Sequence, residues 1–298
     1  RQDISAAEKF WRGYLKGFNA PTPLPARRGA GEGVRVSEAE VYGELNVRLA
    51  PDSTAALREM ARRNGLTLNT VVEGAWALLL AHHSGAADVL FGVTVSGRPS
   101  ELAGMERMIG MFVNTLPLRV KVERGAPLVA WLKELQRTQA EVGQFDYSPL
   151  VEVQGWGDVP RTARLFETLI TFQNVPALDP AAVADAPREG ELQISSETST
   201  KTHYPLTLLV EPAAELALRI LYDRRLFEPE DVARVWRHLE TLLMQMGAHP
   251  RATLETLEAA LPESDRSERL RGERNRERAH LSKLRTIKPR AVNLPDAE

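Results

Sequence analysis

Ile109-Gly-Met-Phe112-Val113-Asn114-Thr115-Leu116-Pro117-Leu118-Arg119-Val120-Lys121-Val122 reads with a period of two from its fourth residue onward. Phe112, Leu116, Leu118, Val120 and Val122 fall on one face, and Val113, Thr115, Pro117, Arg119 and Lys121 on the other, so a β-strand is expected. Asn114 stands on the apolar face, where an amide is costly to bury unless it finds partners. Pro117 has no N–H to offer a neighbouring strand, which kinks the strand or places it at a sheet edge. On pattern alone, Asn114 reads as a side chain tying down a neighbouring loop.

Upstream, residues 6–18 place Ala7, Phe10, Trp11, Tyr14 and Leu15 at helical spacing before a Pro/Gly-rich stretch over 20–33. Residues 42–49 alternate as a strand. Residues 51–64 read as a helix stopped by Gly65, and 68–83 as a second helix, N-capped by Thr67, apolar nearly all round and ended by Gly85. A short apolar strand over 89–95 then leads through Ser96-Gly97-Arg98-Pro99 to the central strand.

Downstream, Pro127 opens a long helix with Leu128, Trp131, Leu132, Leu135 and Val142 in one stripe. Residues 165–172 read as a strand, 206–210 and 216–222 as an antiparallel pair, and 230–246 as a helix capped by Gly247. Strands mixed with long helices, with an antiparallel pair late in the chain, predict a two-layer α/β sandwich.

The 298 residues are 43% hydrophobic, enough for a sizeable core, and the formal net charge of −2 offers no overall field for nucleic acid. Zero cysteines exclude disulfides, thiol catalysis and thiolate metal sites. The most apolar run, 71–81, is too short for a membrane span and contains Glu73, so no membrane association and a cytoplasmic location are expected. The first residue is Arg, and an amphipathic helix follows at once, which reads as a piece of something longer. Residues 264–290 hold ten Lys/Arg against four Asp/Glu, the composition of a linker or solvated helix, without the aromatics that stack on nucleic acid bases.

Gly110-x-Phe112-Val113-Asn114-Thr115-x-x-x-Arg119 is similar to the fifth signature motif of the condensation domains of nonribosomal peptide synthetases. Gln144-x-x-Tyr147-Ser148-Pro149-Leu150 resembles a variant of the sixth, and Arg164-Leu165-Phe166-Glu167 through Gln173-Asn174 resembles the seventh. The segment from Asp88 to Pro99 is phrased as in that family too. The likeness spans about 5–262 and only the second half of such a domain, which implies a chloramphenicol-acetyltransferase-like C-terminal lobe over 1–262 and a charged linker over 263–298. The tail end, from Leu284 to Leu294, resembles the opening of taurine-dioxygenase-type oxygenase domains, so the linker is expected to lead toward a further, oxygenase-like domain.

The resemblance implies amide-bond formation between an acyl or peptidyl thioester and an aminoacyl thioester. Both would be carried on the phosphopantetheine arms of donor and acceptor carrier proteins, and no cofactor would be bound directly. A His-His-x-x-x-Asp-Gly motif in the N-terminal lobe of the same domain would handle the amine, so no catalytic residue is expected here. By the same resemblance, Asn114, Thr115, Arg119, Tyr147 and Pro149 would line the substrate tunnel or lobe seam. Gly110, Phe112, Phe166, Gln173 and Asn174 would support those motifs, with plain sheet packing as the other reading of the last three.

His82-His83-Ser84-Gly85-Ala86-Ala87-Asp88 imitates the missing motif, but Asp88 is one residue too distant and Val89 stands in place of Gly, so it reads as a helix end. His203, His238, His249 and His280 lack ligand spacing, and no metal is expected. The partners implied are the N-terminal lobe, the two carrier proteins and adjacent synthetase domains. Two alternatives stay open: a noncatalytic condensation-like platform that recruits a carrier protein or a tailoring oxygenase, and an epimerisation domain.

Overall fold

The computed structural model describes residues 2–24, 41–96, 110, 112–173 and 202–262. In chain order these form α1 (Ile4–Tyr14), β1 (Tyr42–Arg48), α2 (Pro51–Asn64), α3 (Leu68–Ser84), β2 (Asp88–Val95), β3 (Asn114–Lys121) and α4 (Leu128–Gly143). There follow α5 (Leu150–Trp156), β4 (Thr168–Phe172), β5 (Leu206–Pro212), β6 (Leu216–Asp223), α6 (Pro229–Ala248) and α7 (Leu254–Glu258). The six strands make one mixed sheet in the order β1-β6-β5-β4-β2-β3, with β2–β4 and β4–β5 parallel and the other pairs antiparallel.

Register fixes the faces. Val89, Phe91 and Val93 of β2 lie opposite Val120, Leu118 and Leu116 of β3, and this face continues through Thr168 and Ile170 of β4 to Leu206, Leu208 and Val210 of β5. Helix α3 covers it: the Trp76 indole donates to Thr168 Oγ1 at 3.3 Å, and residues 70–81 are all buried between sheet and neighbouring helices. Helices α2, α4, α6 and α7 pack around α3 and complete the second layer of an α/β sandwich. The apolar residues of these elements form one continuous core.

Local signals set most boundaries. Thr67 accepts from Thr70 N as the N-cap of α3, and Gly65 and Gly85 end α2 and α3 at φ 67° and 70°, a left-handed conformation that costs glycine little. Pro117 sits, as expected, in an edge strand.

Four expectations need correction. Gly247 does not cap its helix; α6 runs through it to Ala248, and the glycine instead leaves room for α2, where a Cβ would lie 3.3 Å from Leu57 N. Helix α1 ends at Tyr14 rather than residue 18, since Leu15 already leaves the helix and two β3-side interactions take hold of its end. Strand β4 begins at Thr168, with Leu165 and Phe166 in the approach to it, and β3 begins at Asn114 rather than Phe112. Two short helices, α5 and α7, escape a reading that rests on long periodicity.

Candidate functional site

The fifth-motif residues sit at the start of β3, on the sheet edge. Because Val122 N donates to Ala87 O at 2.7 Å, the even-numbered residues of β3 point their backbone groups at β2 and the odd ones point them outward. Asn114 opens the strand half-buried. Its Nδ2 donates to the carbonyls of Asp146 at 2.7 Å and Ser148 at 2.8 Å, while its Oδ1 accepts from Thr115 N at 2.8 Å. One amide thus holds the 144–149 segment against the strand, and three of its hydrogen-bonding positions go to backbone.

That segment is anchored from several sides. The Ser148 hydroxyl, fully buried, accepts from the Trp11 indole at 2.9 Å, and Phe145 stacks on Phe10 with ring centroids 4.4 Å apart. The Tyr147 hydroxyl donates to Asp3 O at 2.9 Å, and Pro149 is the N-cap of α5. The fifth and sixth motif segments and helix α1 are therefore one packed unit. Burial raises the Asp146 carboxyl above its ordinary range.

Arg119, further along the strand, points to the sheet face opposite α3. Its guanidinium reaches Asp88 through Nε at 3.0 Å and Nη2 at 2.7 Å, and Nη1 donates to the carbonyls of Tyr14 at 2.8 Å and Lys16 at 2.9 Å. The hydrogen bonds to the Asp88 carboxylate hold the guanidinium further above its already high range. The Phe18 ring lies 5.5 Å beneath the guanidinium carbon.

On this same face Thr115 stands opposite Thr94, and Thr94 Oγ1 shares a 2.8 Å hydrogen bond with Thr171 Oγ1. A row of half-buried hydroxyls therefore crosses β3, β2 and β4, directly beside Val113, which is 65% exposed. Sequence reading missed this row, because the residues are far apart in the chain; the signal available was a threonine on the same face of three separate strands. Phe166 covers the face at Gly92, where a Cβ would meet its ring at 2.3 Å, and stacks on Tyr204 at 5.3 Å. Gln173 N donates to Val210 O at 2.8 Å, Gly110 packs against the Phe112 ring, and Asn174 lies outside the described residues.

The histidine pair at the end of α3 lies elsewhere, on the helical layer. His82 Nδ1 meets Glu258 Oε1 at 3.1 Å, and His83 Nε2 meets His238 Nδ1 at 3.0 Å with the rings stacked. Folding thus gathers histidines 155 residues apart, which spacing along the chain did not foretell. Among the described residues no group of three or more His, Cys, Asp or Glu has the geometry to hold a metal ion.

An amide, a guanidinium and hydroxyls that do not titrate near neutrality can orient and position, but they do not take a proton from an amine. The chemistry open to this arrangement is the shaping of a surface and the fixing of its loops.

The family model for the condensation domain matches residues 1–267. One of the linear gramicidin synthase proteins of Brevibacillus parabrevis is 43% identical over 256 residues, covering 86% of this chain and 3% of that protein. Among solved structures, the X-domain from teicoplanin biosynthesis superposes with a TM-score of 0.68 at 20% identity, over 85% of this chain and 56% of that one. The complex of the X-domain and OxyB from teicoplanin biosynthesis gives a TM-score of 0.68 at 21% identity, over 85% and 55%.

Proposed function

The chain belongs to the condensation-domain family of nonribosomal peptide synthetases, and from that premise we propose that it is the C-terminal lobe of such a domain, supplying one wall of the tunnel in which an amide bond forms. Members of this family act as acyltransferase-type domains on substrates held by phosphopantetheine carrier proteins within multidomain synthetases. The chain spans 3% of the length of the gramicidin synthase protein and about half of the X-domain chain, in keeping with one lobe of a two-lobed domain.

The observation that carries the reading is the sheet face opposite α3. A row of half-buried hydroxyls beside exposed Val113 is built neither as core nor as a charged solvent face, and Asn114 and Arg119 fix the segments that frame it. Thr115 would border the tunnel. Asn114, Tyr147 and Pro149 would set its rim, and Arg119 would hold the chain entering from the preceding lobe. Much of the rate gain in such a reaction comes from orienting two tethered partners, so a rigid wall is a sufficient contribution.

The test is to offer the chain aminoacylated donor and acceptor carrier proteins, with and without the preceding lobe in trans, and to follow dipeptidyl carrier protein by mass spectrometry. Product is expected only when that lobe, with its histidine motif, is added. Product from this chain alone would overturn the reading.

A second reading has one observation in its favour, the likeness in fold to an X-domain whose complex with OxyB is solved. In that reading the chain is part of a noncatalytic platform recruiting a carrier protein or a tailoring oxygenase, and no product forms in either arm of the experiment.

We assign residues 1–262 to the lobe and 263–298 to a charged linker, whose composition cannot bury enough apolar surface to offset ordering. Truncation after Glu263 is expected to leave the melting temperature unchanged within about 2 °C, the shift for about 1 kcal/mol or less in a domain of this size. A larger fall on a thermal scan would show that the tail packs on the lobe.

A further inference from the structure

Among the described residues β3 is the last strand of the sheet, and such an edge ordinarily presents a row of unpaired N–H and C=O groups to which another strand can add. Here the outward groups belong to the odd-numbered residues. Thr115 N is taken by the Asn114 side chain at 2.8 Å, and Pro117 has no N–H. Arg119 N donates to the Tyr14 hydroxyl at 2.6 Å, and the same hydroxyl faces Arg119 O at 3.3 Å. Lys121 O accepts from the Trp131 indole at 2.7 Å.

We propose that α1 is a strap that terminates the sheet, with the Tyr14 hydroxyl standing at Arg119 where a seventh strand would pair. A phenol suits the task because one O–H donates and accepts at once, as a facing peptide unit does. Tyr14 is set in place independently of that bond: its ring stacks on Phe10 at 5.4 Å, and its carbonyl is held by the Arg119 guanidinium at 2.8 Å. Residue 119 thus binds the strap through both backbone and side chain. From the other flank, Trp131 closes the next outward carbonyl.

A groove of about 730 Å³ runs along this edge, lined by Tyr14, Lys16, Lys121, Trp131 and Glu134 among others. On its floor the Arg119 N–H and C=O and the Lys121 C=O are taken by side chains, which disfavours strand addition at that point of the edge. The strap does not depend on the tunnel reading.

Residue-resolved amide exchange on the whole chain tests it. In the unaltered protein the Arg119 amide should exchange as slowly as those of Leu118 and Val120, although it points away from every strand. Tyr14→Phe keeps the ring and its stacking and removes the hydroxyl. The Arg119 amide should then exchange about tenfold faster or more, as follows from losing its one partner, while Leu118 and Val120 are unchanged. Trp131→Phe, which removes a donor to a carbonyl, should leave the Arg119 amide slow. Fast exchange at Arg119 in the unaltered chain overturns the proposal, even if the Phe variant does not fold, and so does slow exchange persisting in a folded Tyr14→Phe.

Discussion

Arg119→Met is expected to lower the stability of the chain by about 3 kcal/mol, dropping the melting temperature by about 6–12 °C. Methionine keeps most of the aliphatic stem and removes the guanidinium. The Asp88 contact accounts for the smaller part, because the Asp88 side chain is 35% exposed and regains water, so that pair counts for about 1 kcal/mol or less. The larger part comes from the carbonyls of Tyr14 and Lys16, which lose a charged donor at the end of α1, the Tyr14 carbonyl in a partly buried setting. Asp88→Asn should therefore cost much less than Arg119→Met. Chemical denaturation of both variants and of the double variant checks this: equal losses in the two single variants would place the energy in the ion pair and not in the strap.

Helix ends and edge signals were legible in the residues because each is local. Pro51 and Gly65 bracket α2, Thr67 and Gly85 bracket α3, and Pro117 marks an edge strand, all by backbone conformations or missing donors that act within a few residues. Gly247 misled because the same residue type also serves close approach between helices, a demand made by Leu57 and Ala56 from almost two hundred positions away. Asn114 announced by its place on an apolar face that it needed partners. Which partners it has, the carbonyls of Asp146 and Ser148, is decided by the docking of a loop some thirty residues on. The threonine row and the His83–His238 contact are likewise products of register and packing, and no pattern within one segment encodes them.

Glu73→Gln is expected to stabilise the chain by about 3 kcal/mol at pH 8 and to change it little at pH 4. Glu73 lies within α3, turned toward α4 and fully buried, and its carboxylate is bonded by the side chains of Gln139 and Asn69, neither of which carries charge. Burial, the dominant influence, raises its pKa from 4.5 to about 7, and the two amides only partly offset it. Below about 4.5 the group is protonated whether the chain is folded or not and costs nothing. As the pH rises from there to about 7, the unfolded chain releases the proton and the folded chain keeps it, so stability falls throughout that window and stays low above it. A gap of 2.5 between 4.5 and 7, at about 1.4 kcal/mol per unit, sets the effect at about 3 to 4 kcal/mol.

Glutamine removes the charge and keeps the shape. Its carbonyl accepts from Gln139 as the carboxylate does, and once the Asn69 amide turns over, its amide finds an acceptor in Asn69 Oδ1, a buried atom with no hydrogen-bond partner among the described residues. The neighbouring bonds from Thr70 Oγ1 to Gln136 and Gln139 are undisturbed. Melting curves of both proteins between pH 4 and pH 8 decide the matter. The two should coincide at the acid end and separate by about 6–12 °C at pH 8, with the glutamine variant above. Curves that run parallel across the range, or a glutamine variant that melts lower at pH 8, would mean that the buried carboxylate is bound as an anion and contributes to the fold in its charged form.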